Sequence, residues 1–242
     1  MKLLRFILLM LLCIGLNAQT PGNSWGSTGN SSPTEKGNVI KSVYLEQGFT
    51  LFQEGTLSLV PYASLNGTLD TKGYEWNNRL IAIGGAKFVK SFSNGMISFG
   101  AGYSTEYRKG GMQKSASQIQ ATYWFGWNQC ERFPGSSWGV AGHVSPAERN
   151  NFISTVYAQQ GVRVAKIGSV SFVPFVEGLV SADSYGYDWN NRTIYGTGVK
   201  AIFPCKKGAY ELGTSYQREN RSRSGISAST VTLFGKFWFG WR

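Results

Sequence analysis

Residues 118–127 read QIQATYWFGW, and residues 231–241 read VTLFGKFWFGW. In the first stretch Ile119, Ala121, Tyr123, Phe125 and Trp127 alternate with residues that are polar or small except for Trp124. The second stretch repeats this imperfect alternation, with Phe234 and Trp238 as its exceptions. A period of two is that of a β-strand, whose successive side chains point to opposite faces. Strands of about ten residues are longer than most globular strands and match what a tilted strand needs to cross a bilayer. The pattern therefore predicts long strands with one apolar face.

The same alternation predicts further strands along the chain. Residues 96–103 show it clearly, and weaker examples are residues 24–31 and 137–144. The other predicted strands are residues 43–52, 56–68, 79–91, 156–164, 168–180, 192–203 and 209–217.

Several phrases occur twice at a nearly constant spacing. GYEWNNR at residues 73–79 matches GYDWNNR at residues 186–192, so that Trp76 and Trp189 lie 113 positions apart. Residues 21–48 align without a gap on residues 134–161 at the same spacing. We interpret the chain as a tandem duplication of a unit of about 113 residues, with a first repeat at 19–133 and a second repeat at 134–242.

The amino terminus has the features of an export signal. Lys2 and Arg5 precede an apolar run from Phe6 to Leu16, and the small residue Ala18 follows. This order predicts a cleaved signal peptide over residues 1–18 rather than a membrane-spanning helix. Without those two basic residues, the 24 basic and 13 acidic side chains of the whole chain leave a net charge of +9. For an exported protein, such a charge indicates anionic lipid, acidic glycans or an acidic protein as partners, and not nucleic acid.

An apolar face opposite a small or polar face fits two architectures. In a membrane barrel the apolar face meets lipid, whereas in a soluble sandwich it forms the core. The strand lengths and the export signal favour an all-β, transmembrane antiparallel β-barrel that both repeats close together. One strand at the start of each repeat gives twelve strands, and ten is the alternative. With twelve strands, YRKGGMQKSAS and QRENRSRSGIS fall among long loops on the outer side.

The chain resembles Gram-negative outer-membrane β-barrels, which commonly end in an alternating aromatic strand read by the barrel-assembly machinery. Phe237, Phe239 and Trp241 match that ending, although Arg242 follows the last aromatic residue. The phrase WNNR before a glycine-rich strand is similar to barrels of the YaiO type. This resemblance implies a location in the outer membrane and contact with lipopolysaccharide.

The repeated phrase GYxWNNR has two interpretations. The first is a structural corner on the outer side that recurs because the unit is duplicated, with Gly and Asn providing turn conformations. The second is a pair of ligand contacts, in which a stacking Trp is flanked by Asn and Arg. The candidate ligand-binding residues are Trp76, Asn77, Asn78, Arg79, Trp189, Asn190, Asn191 and Arg192.

A second set of candidates consists of charged residues predicted to line the lumen. They either fill it with ion pairs or form a selectivity ring, and the first interpretation is favoured. The set comprises Glu46, Lys87, Glu177, Lys200, Glu211 and Lys236. The basic residues of the outer loops are expected to be solvated, with lipopolysaccharide phosphates as a second possible contact; they are Arg108, Lys109, Lys114, Arg218, Arg221 and Arg223.

Little in the sequence indicates catalysis. His143 is the one histidine, and its neighbours Ser145 and Glu148 do not by themselves make a hydrolytic triad. We predict no enzyme activity, no cofactor and no metal site. Cys130 and Cys205 share a side in the twelve-strand arrangement but lie several strands apart, which disfavours a disulfide bond between them.

The sequence thus predicts a small pore or a scaffold subunit of a larger envelope complex. The alternative is a secreted tandem carbohydrate-binding module that uses Trp76 and Trp189.

Overall fold

A computed structural model describes residues 22–30, 32–128 and 131–241 of the chain. Most of this is β-strand, with one short 3-10 helix at Pro146–Glu148. The strands are β1 (Gly22–Asn30), β2 (Val39–Gly48), β3 (Phe52–Glu54), β4 (Leu57–Asp70), β5 (Arg79–Phe92), β6 (Gly95–Arg108), β7 (Gln113–Trp127), β8 (Gly135–His143), β9 (Phe152–Gly161), β10 (Ala165–Ile167), β11 (Val170–Asp183), β12 (Arg192–Cys205), β13 (Gly208–Arg221) and β14 (Ser227–Trp241).

The strands form one closed antiparallel barrel. Each long strand pairs with its neighbours along the chain, and β14 pairs with β1 to close the ring, from Gly22 opposite Trp241 to Gly29 opposite Phe234. The two three-residue strands, β3 and β10, only extend the hairpins that lead into β4 and β11. Twelve strands remain in the ring, which confirms the predicted barrel and makes the ten-strand alternative wrong. We call the β14–β1 pairing the closure.

Several predicted boundaries are wrong. The strand expected at 43–52 begins at Val39 and ends at Gly48, because the chain turns before β3. The predicted long outer loops are largely strand, so that residues 109–112 alone join β6 to β7 and residues 222–226 alone join β13 to β14. Their polar residues continue the inward-facing and outward-facing rows instead of leaving the sheet. The weaker strand predicted at residues 24–31 is confirmed as β1, which starts two residues earlier.

The connections gather at two ends of the barrel. Gly22 and Trp241 lie at one end, which we call the terminal end. The opposite end, the loop end, carries residues 32–38, 71–78, 109–112, 144–151, 184–191 and 222–226.

The two faces of the wall differ sharply in chemistry. Outward-pointing side chains are apolar and exposed, as Leu233 is at 75% of its surface. Inward-pointing side chains include the buried carboxylates of Glu46, Glu106 and Glu219. Further exposed outward residues are Val43, Leu45, Phe88, Ile97, Phe99, Tyr103, Ile119, Val156, Val176, Val180, Tyr195, Val199, Tyr210, Leu212, Tyr216 and Val231. The barrel is therefore inside out relative to a soluble domain.

Gly22 and Gly135 stand at the same position in the two repeats, and each lies beside the last tryptophan of an aromatic strand. The Trp241 ring lies against Gly22, where a Cβ atom would come within 2.1 Å of it, and Trp127 lies against Gly135 with a corresponding distance of 2.3 Å. The Trp241 indole N–H donates to Gln47 Oε1 at 2.8 Å, across β1. Glycine is needed because the neighbouring aromatic ring occupies the position of its side chain.

The same contact recurs at the other junction, where the Trp127 N–H donates to Gln160 Oε1 at 2.8 Å across β8. Each aromatic strand is thereby tied to the second strand beyond it. In the described part of the chain, no helix has the length and apolarity needed to span a bilayer.

Candidate functional site

In the first repeat, one lumen carboxylate collects three donors. Lys87 Nζ lies 2.7 Å from both carboxylate oxygens of Glu46, and β4 runs between their two strands. Glu46 also accepts hydrogen bonds from Asn23 Nδ2 at 3.0 Å and from the Tyr44 hydroxyl at 2.8 Å. An interior carboxylate with a bound ammonium and two further donors fills space without leaving an unpaired charge.

In the second repeat the lysine at the matching position also has a carboxylate partner. Lys200 Nζ lies 3.0 Å from both oxygens of Glu211 and donates to Gln159 Oε1 at 2.5 Å. Glu177 accepts from the Tyr157 hydroxyl at 2.8 Å and from Gln217 Nε2 at 2.7 Å.

Lys236 differs from the other lumen lysines because its nearest partners are aromatic rings. Its ammonium lies 4.9 Å from the ring centroid of Phe234 and 5.4 Å from that of Tyr157. Three strands separate β14 from β9, so the second contact crosses the lumen. Phe175 on β11 also meets Phe234 edge to face at 6.0 Å. All six lumen candidates therefore lie inside the barrel, and the second-repeat side is crossed by side chains.

The first-repeat side of the lumen is built from smaller groups. Glu177, Glu211 and Lys236 correspond to Ser64, Ser98 and Thr122, and Phe234 corresponds to Gln120. Gln118 is buried on this side, and its Nε2 has no hydrogen-bond partner among the described residues. A buried amide without a protein partner indicates water in this half of the lumen.

At the loop end, two segments with the sequence Ser-Pro-x-Glu fold onto the inner wall. We call residues 32–38 and 145–151 the Ser-Pro loops. In the second of these loops, the Ser145 hydroxyl donates to Glu106 at 2.5 Å and the Ala147 N–H donates at 3.1 Å. Glu106 is only 1% exposed. Arg108 Nε binds it at 2.6 Å, and Arg79 Nη1 lies 3.6 Å away.

The first Ser-Pro loop makes the corresponding contacts with Glu219, which is fully buried. Ser32 donates its hydroxyl to this carboxylate, and Thr34 adds its N–H at 3.2 Å and its hydroxyl at 2.9 Å. Arg221 Nε binds at 3.1 Å and Arg192 Nη1 lies at 3.6 Å. Because Glu219 is on β13 and the loop follows β1, these bonds span the closure.

These contacts place the arginines inside the barrel. Arg79 and Arg192, two of the ligand-binding candidates, point toward buried carboxylates. The expectation that Arg108 and Arg221 are solvated loop charges is wrong, because each binds a buried carboxylate and only 10% and 13% of their side chains are exposed. Glu106 and Glu219 were not predicted from the sequence, although both recur at the repeat spacing.

The corner at residues 73–79 is organised by an aspartate that precedes it. The Asp70 carboxylate accepts hydrogen bonds from Asn77 Nδ2 at 2.9 Å and Asn78 Nδ2 at 2.7 Å. It also accepts from the Tyr74 N–H at 3.0 Å and from Asn38 Nδ2 at 3.1 Å, which joins the corner to the first Ser-Pro loop.

Asp183 does the same in the second repeat. Its partners are Asn190 and Asn191, both at 2.7 Å, the Tyr187 N–H at 3.0 Å and Asn151 at 3.1 Å. The four Asn candidates of the two corners thus hydrogen-bond within the protein. Asp70 and Asp183 were missed, although both stand three residues before the repeated phrase.

The two corner tryptophans remain accessible. Trp76 is 49% exposed and Trp189 is 45% exposed. One face of each is covered by a stacked tyrosine, with centroids 4.8 Å apart for Tyr74 and 4.7 Å for Tyr187. Of the ligand-binding candidates, the two Trp rings are the groups that the corner contacts leave open.

Asp188, inside the second corner, is held in its charged form. Although some desolvation acts against ionisation, the Ser224 hydroxyl and N–H, each 2.9 Å away, keep the pKa of Asp188 below its usual range. The nearby Arg221 guanidinium contributes in the same direction, at 3.5 Å. The aspartate thus pins the connection between β13 and β14 to the corner.

No hydrolytic triad forms around His143. The histidine packs edge to face on Phe152 at 5.9 Å, while the Ser145 hydroxyl is engaged with Glu106. Within the described ranges, no group of three or more His, Cys, Asp or Glu residues could hold a metal ion. Cys205 ends β12 and is exposed, whereas Cys130 lies outside the described residues, so the question of their disulfide stays a prediction.

Comparison with known proteins gives no family for the chain. No family model and no curated protein matches it. Among solved structures, it is similar to the β domain of the Bordetella autotransporter BrkA, with 13% identity, a TM-score of 0.39 and coverage of 92% of this chain and 98% of that one.

Two further similar structures are OmpT, an outer membrane protein of Vibrio cholerae, and the translocator domain of the autotransporter NalP from Neisseria meningitidis. The values for OmpT are 8% identity, a TM-score of 0.38 and coverage of 93% and 99%. For NalP the identity is 11%, the TM-score is 0.34, and the match covers 98% of this chain and 94% of that one. None of them is a YaiO-type barrel, and at these TM-scores the likeness says nothing about function.

Proposed function

We propose that the chain is a non-enzymatic outer-membrane β-barrel with an occluded lumen, which serves as a scaffold subunit of a larger envelope complex. The observation that carries the membrane location is the apolar outer face, because soluble monomers rarely expose contiguous apolar patches beyond a few hundred Å². Inward polar groups and outward apolar groups are the arrangement that a barrel needs in hydrocarbon. The N-terminal segment fits export to that membrane.

The first prediction concerns this location. The protein expressed with its native amino terminus is expected to sediment with outer membranes, to resist extraction by carbonate or urea, and to dissolve only in detergent. The reason is that the apolar outer face contacts hydrocarbon in the membrane, and without detergent water would have to cover that face. A processed protein that stays monodisperse in detergent-free buffer would contradict the proposal and support the carbohydrate-binding alternative.

An occluded lumen favours the scaffold over the small pore. The Lys87–Glu46 and Lys200–Glu211 pairs fill the interior, Lys236 and Phe234 reach across it, and both Ser-Pro loops fold inward at the loop end. The pore remains the second candidate because the first-repeat side has small polar groups and an unpaired Gln118 amide.

The second prediction separates these two candidates. Wild-type protein in a planar bilayer is expected to give no steady conductance, whereas Phe234→Ala combined with Lys236→Ala should open a measurable one. Removing both side chains deletes the contacts that cross the lumen. The matched control is Gln120→Ala with Thr122→Ala at the equivalent first-repeat positions, which should stay closed. Steady ion-selective conductance in the wild type would instead establish the pore.

A further inference from the structure

The apolar outer face is interrupted by a groove that runs over the closure. Its volume is about 640 Å³, within the range of small-molecule sites. The floor is low because β1 and β14 place the small residues Thr28 and Gly235 outward there, whereas the Phe237 ring covers Gly26.

The strand register fixes the layout of the groove. Leu212, Gly235, Thr28 and Lys41 lie side by side on β13, β14, β1 and β2. One step nearer the terminal end, the corresponding row is Phe203, Tyr210, Phe237, Gly26 and Val43. The groove therefore has aromatic and aliphatic side walls and a floor of small residues. A lysine stands at its margin on the side nearer the loop end.

Lys41 is the unusual member of this set. It is exposed on the outward face among apolar residues, and its side chain takes part in none of the ion pairs or side-chain hydrogen bonds between described residues. A cation facing hydrocarbon is costly unless it reaches the interface and meets an anion there. The neighbourhood thus combines an apolar slot with an uncompensated positive charge.

We propose that this groove binds lipid A of lipopolysaccharide, with an acyl chain lying over Thr28 and Gly235 and a phosphate on Lys41. The inference rests on the proposed membrane location and on an orientation with the loop end outward, which places Lys41 in the outer half of the bilayer. A second copy of the chain fits less well, because a two-fold contact through this groove would bring two Lys41 side chains toward each other.

The second repeat supplies a matched reference surface at the β7–β8 junction. Lys41 corresponds to Ser154, Gly235 to Ala121, and Thr28 to Ala141. The floor is therefore about as low at both junctions. The lysine and the aromatic wall are specific to the closure, because Phe203 and Tyr210 stand where the reference surface has Lys90 and Ile97.

Purified full-length barrel is titrated in detergent micelles with diphosphoryl lipid A, and the bound populations are read by native mass spectrometry. Phosphatidylcholine, whose headgroup has no net charge, is the reference lipid. Lys41→Ser is expected to weaken lipid A binding about fivefold, the loss of one cation at a membrane surface, and to leave the reference lipid unchanged. Gly235→Ala, which narrows the floor between Thr28 and Leu212, should weaken both lipids about threefold.

A charge-conserving double variant, Lys41→Ser with Ser154→Lys, distinguishes a built site from general attraction. It should bind lipid A as weakly as Lys41→Ser alone, because the moved lysine lies at a junction that lacks the Phe203–Tyr210 wall. Wild-type affinity in either Lys41 variant would overturn the proposal. Failure of the membrane location would appear separately, as a wild-type protein that does not float with vesicles or shift its gel mobility on heating.

Discussion

Glu219→Ala is expected to lower the free energy of unfolding by about 2–4 kcal/mol. This loss is smaller than the full cost of removing one partner of a buried ion pair, because the two arginines that bind Glu219 are partly exposed to water. The substitution leaves Arg192 without its carboxylate and Arg221 with only the longer ion pairs to Asp188 and Glu35. It also removes the acceptor of Ser32 and Thr34. Urea titration of the protein in micelles, followed by tryptophan fluorescence, measures the change.

Glu106→Ala is the matched control, since Glu106 has two arginines and a Ser-Pro loop as partners. Its loop crosses the β7–β8 pairing, whose strands are consecutive in the chain, whereas the Glu219 bonds cross the closure between the two chain ends. We therefore expect faster amide exchange along β14–β1 in Glu219→Ala but not in Glu106→Ala. Unchanged stability in Glu219→Ala would mean that the closure does not depend on this carboxylate.

The ring of strands could be predicted from the sequence because it depends on local signals. Alternation at period two in stretches such as residues 118–127 identifies strands and the face that each turns outward. The strand number followed from orientation, since an odd number per repeat would invert the second repeat. Boundaries were less predictable, because polar residues such as those at 113–117 continue a strand wherever a neighbour offers backbone partners.

The partners inside the barrel could not be predicted from the sequence. Glu46 and Lys87 are 41 positions apart, and Ser32 and Glu219 are 187 apart, so their contact depends on register and closure. Repetition was nevertheless a usable signal for part of the site. Glu106 with Glu219 and Asp70 with Asp183 recur at a spacing of 113, as the WNNR phrases do. The candidate site was chosen around the aromatic residues of the repeated phrase, and these carboxylates were therefore not predicted.

Divergence between the repeats carries different information. Most residues that hold the corners and the Ser-Pro loops are the same in both halves, as expected for contacts that every corner needs, although Thr34 stands against Ala147. Other differences lie in the lumen and on the outer groove, where Lys236 stands against Thr122 and Lys41 against Ser154. A position that is not needed for the structure of both repeats can change in one repeat and gain a function there. Lys236 in the lumen and Lys41 on the groove both lie at positions of this kind.

Asp183→Ala is the other substitution with a large expected effect. It should lower the free energy of unfolding by about 2–4 kcal/mol. The carboxylate accepts four hydrogen bonds, and bonds to a charged group contribute more than neutral ones. Water can replace part of this set at the loop end, which keeps the loss below the sum of four bonds. Thermal melting in micelles, followed by near-ultraviolet circular dichroism, measures both the stability and the packing of the Trp189–Tyr187 stack.

Trp189→Ala is the contrasting variant, because the exposed half of this ring makes no protein contact that folding needs. We expect it to lower the free energy of unfolding by about 0.5–1.5 kcal/mol, the contribution of one aromatic pair. If the corner is structural, Asp183→Ala is damaging and Trp189→Ala has this smaller effect alone. If the corner binds glycans, Trp189→Ala with Trp76→Ala abolishes glycan binding while the barrel stays folded. Equal damage from both substitutions would contradict either interpretation, because it would make the ring itself part of the folded core.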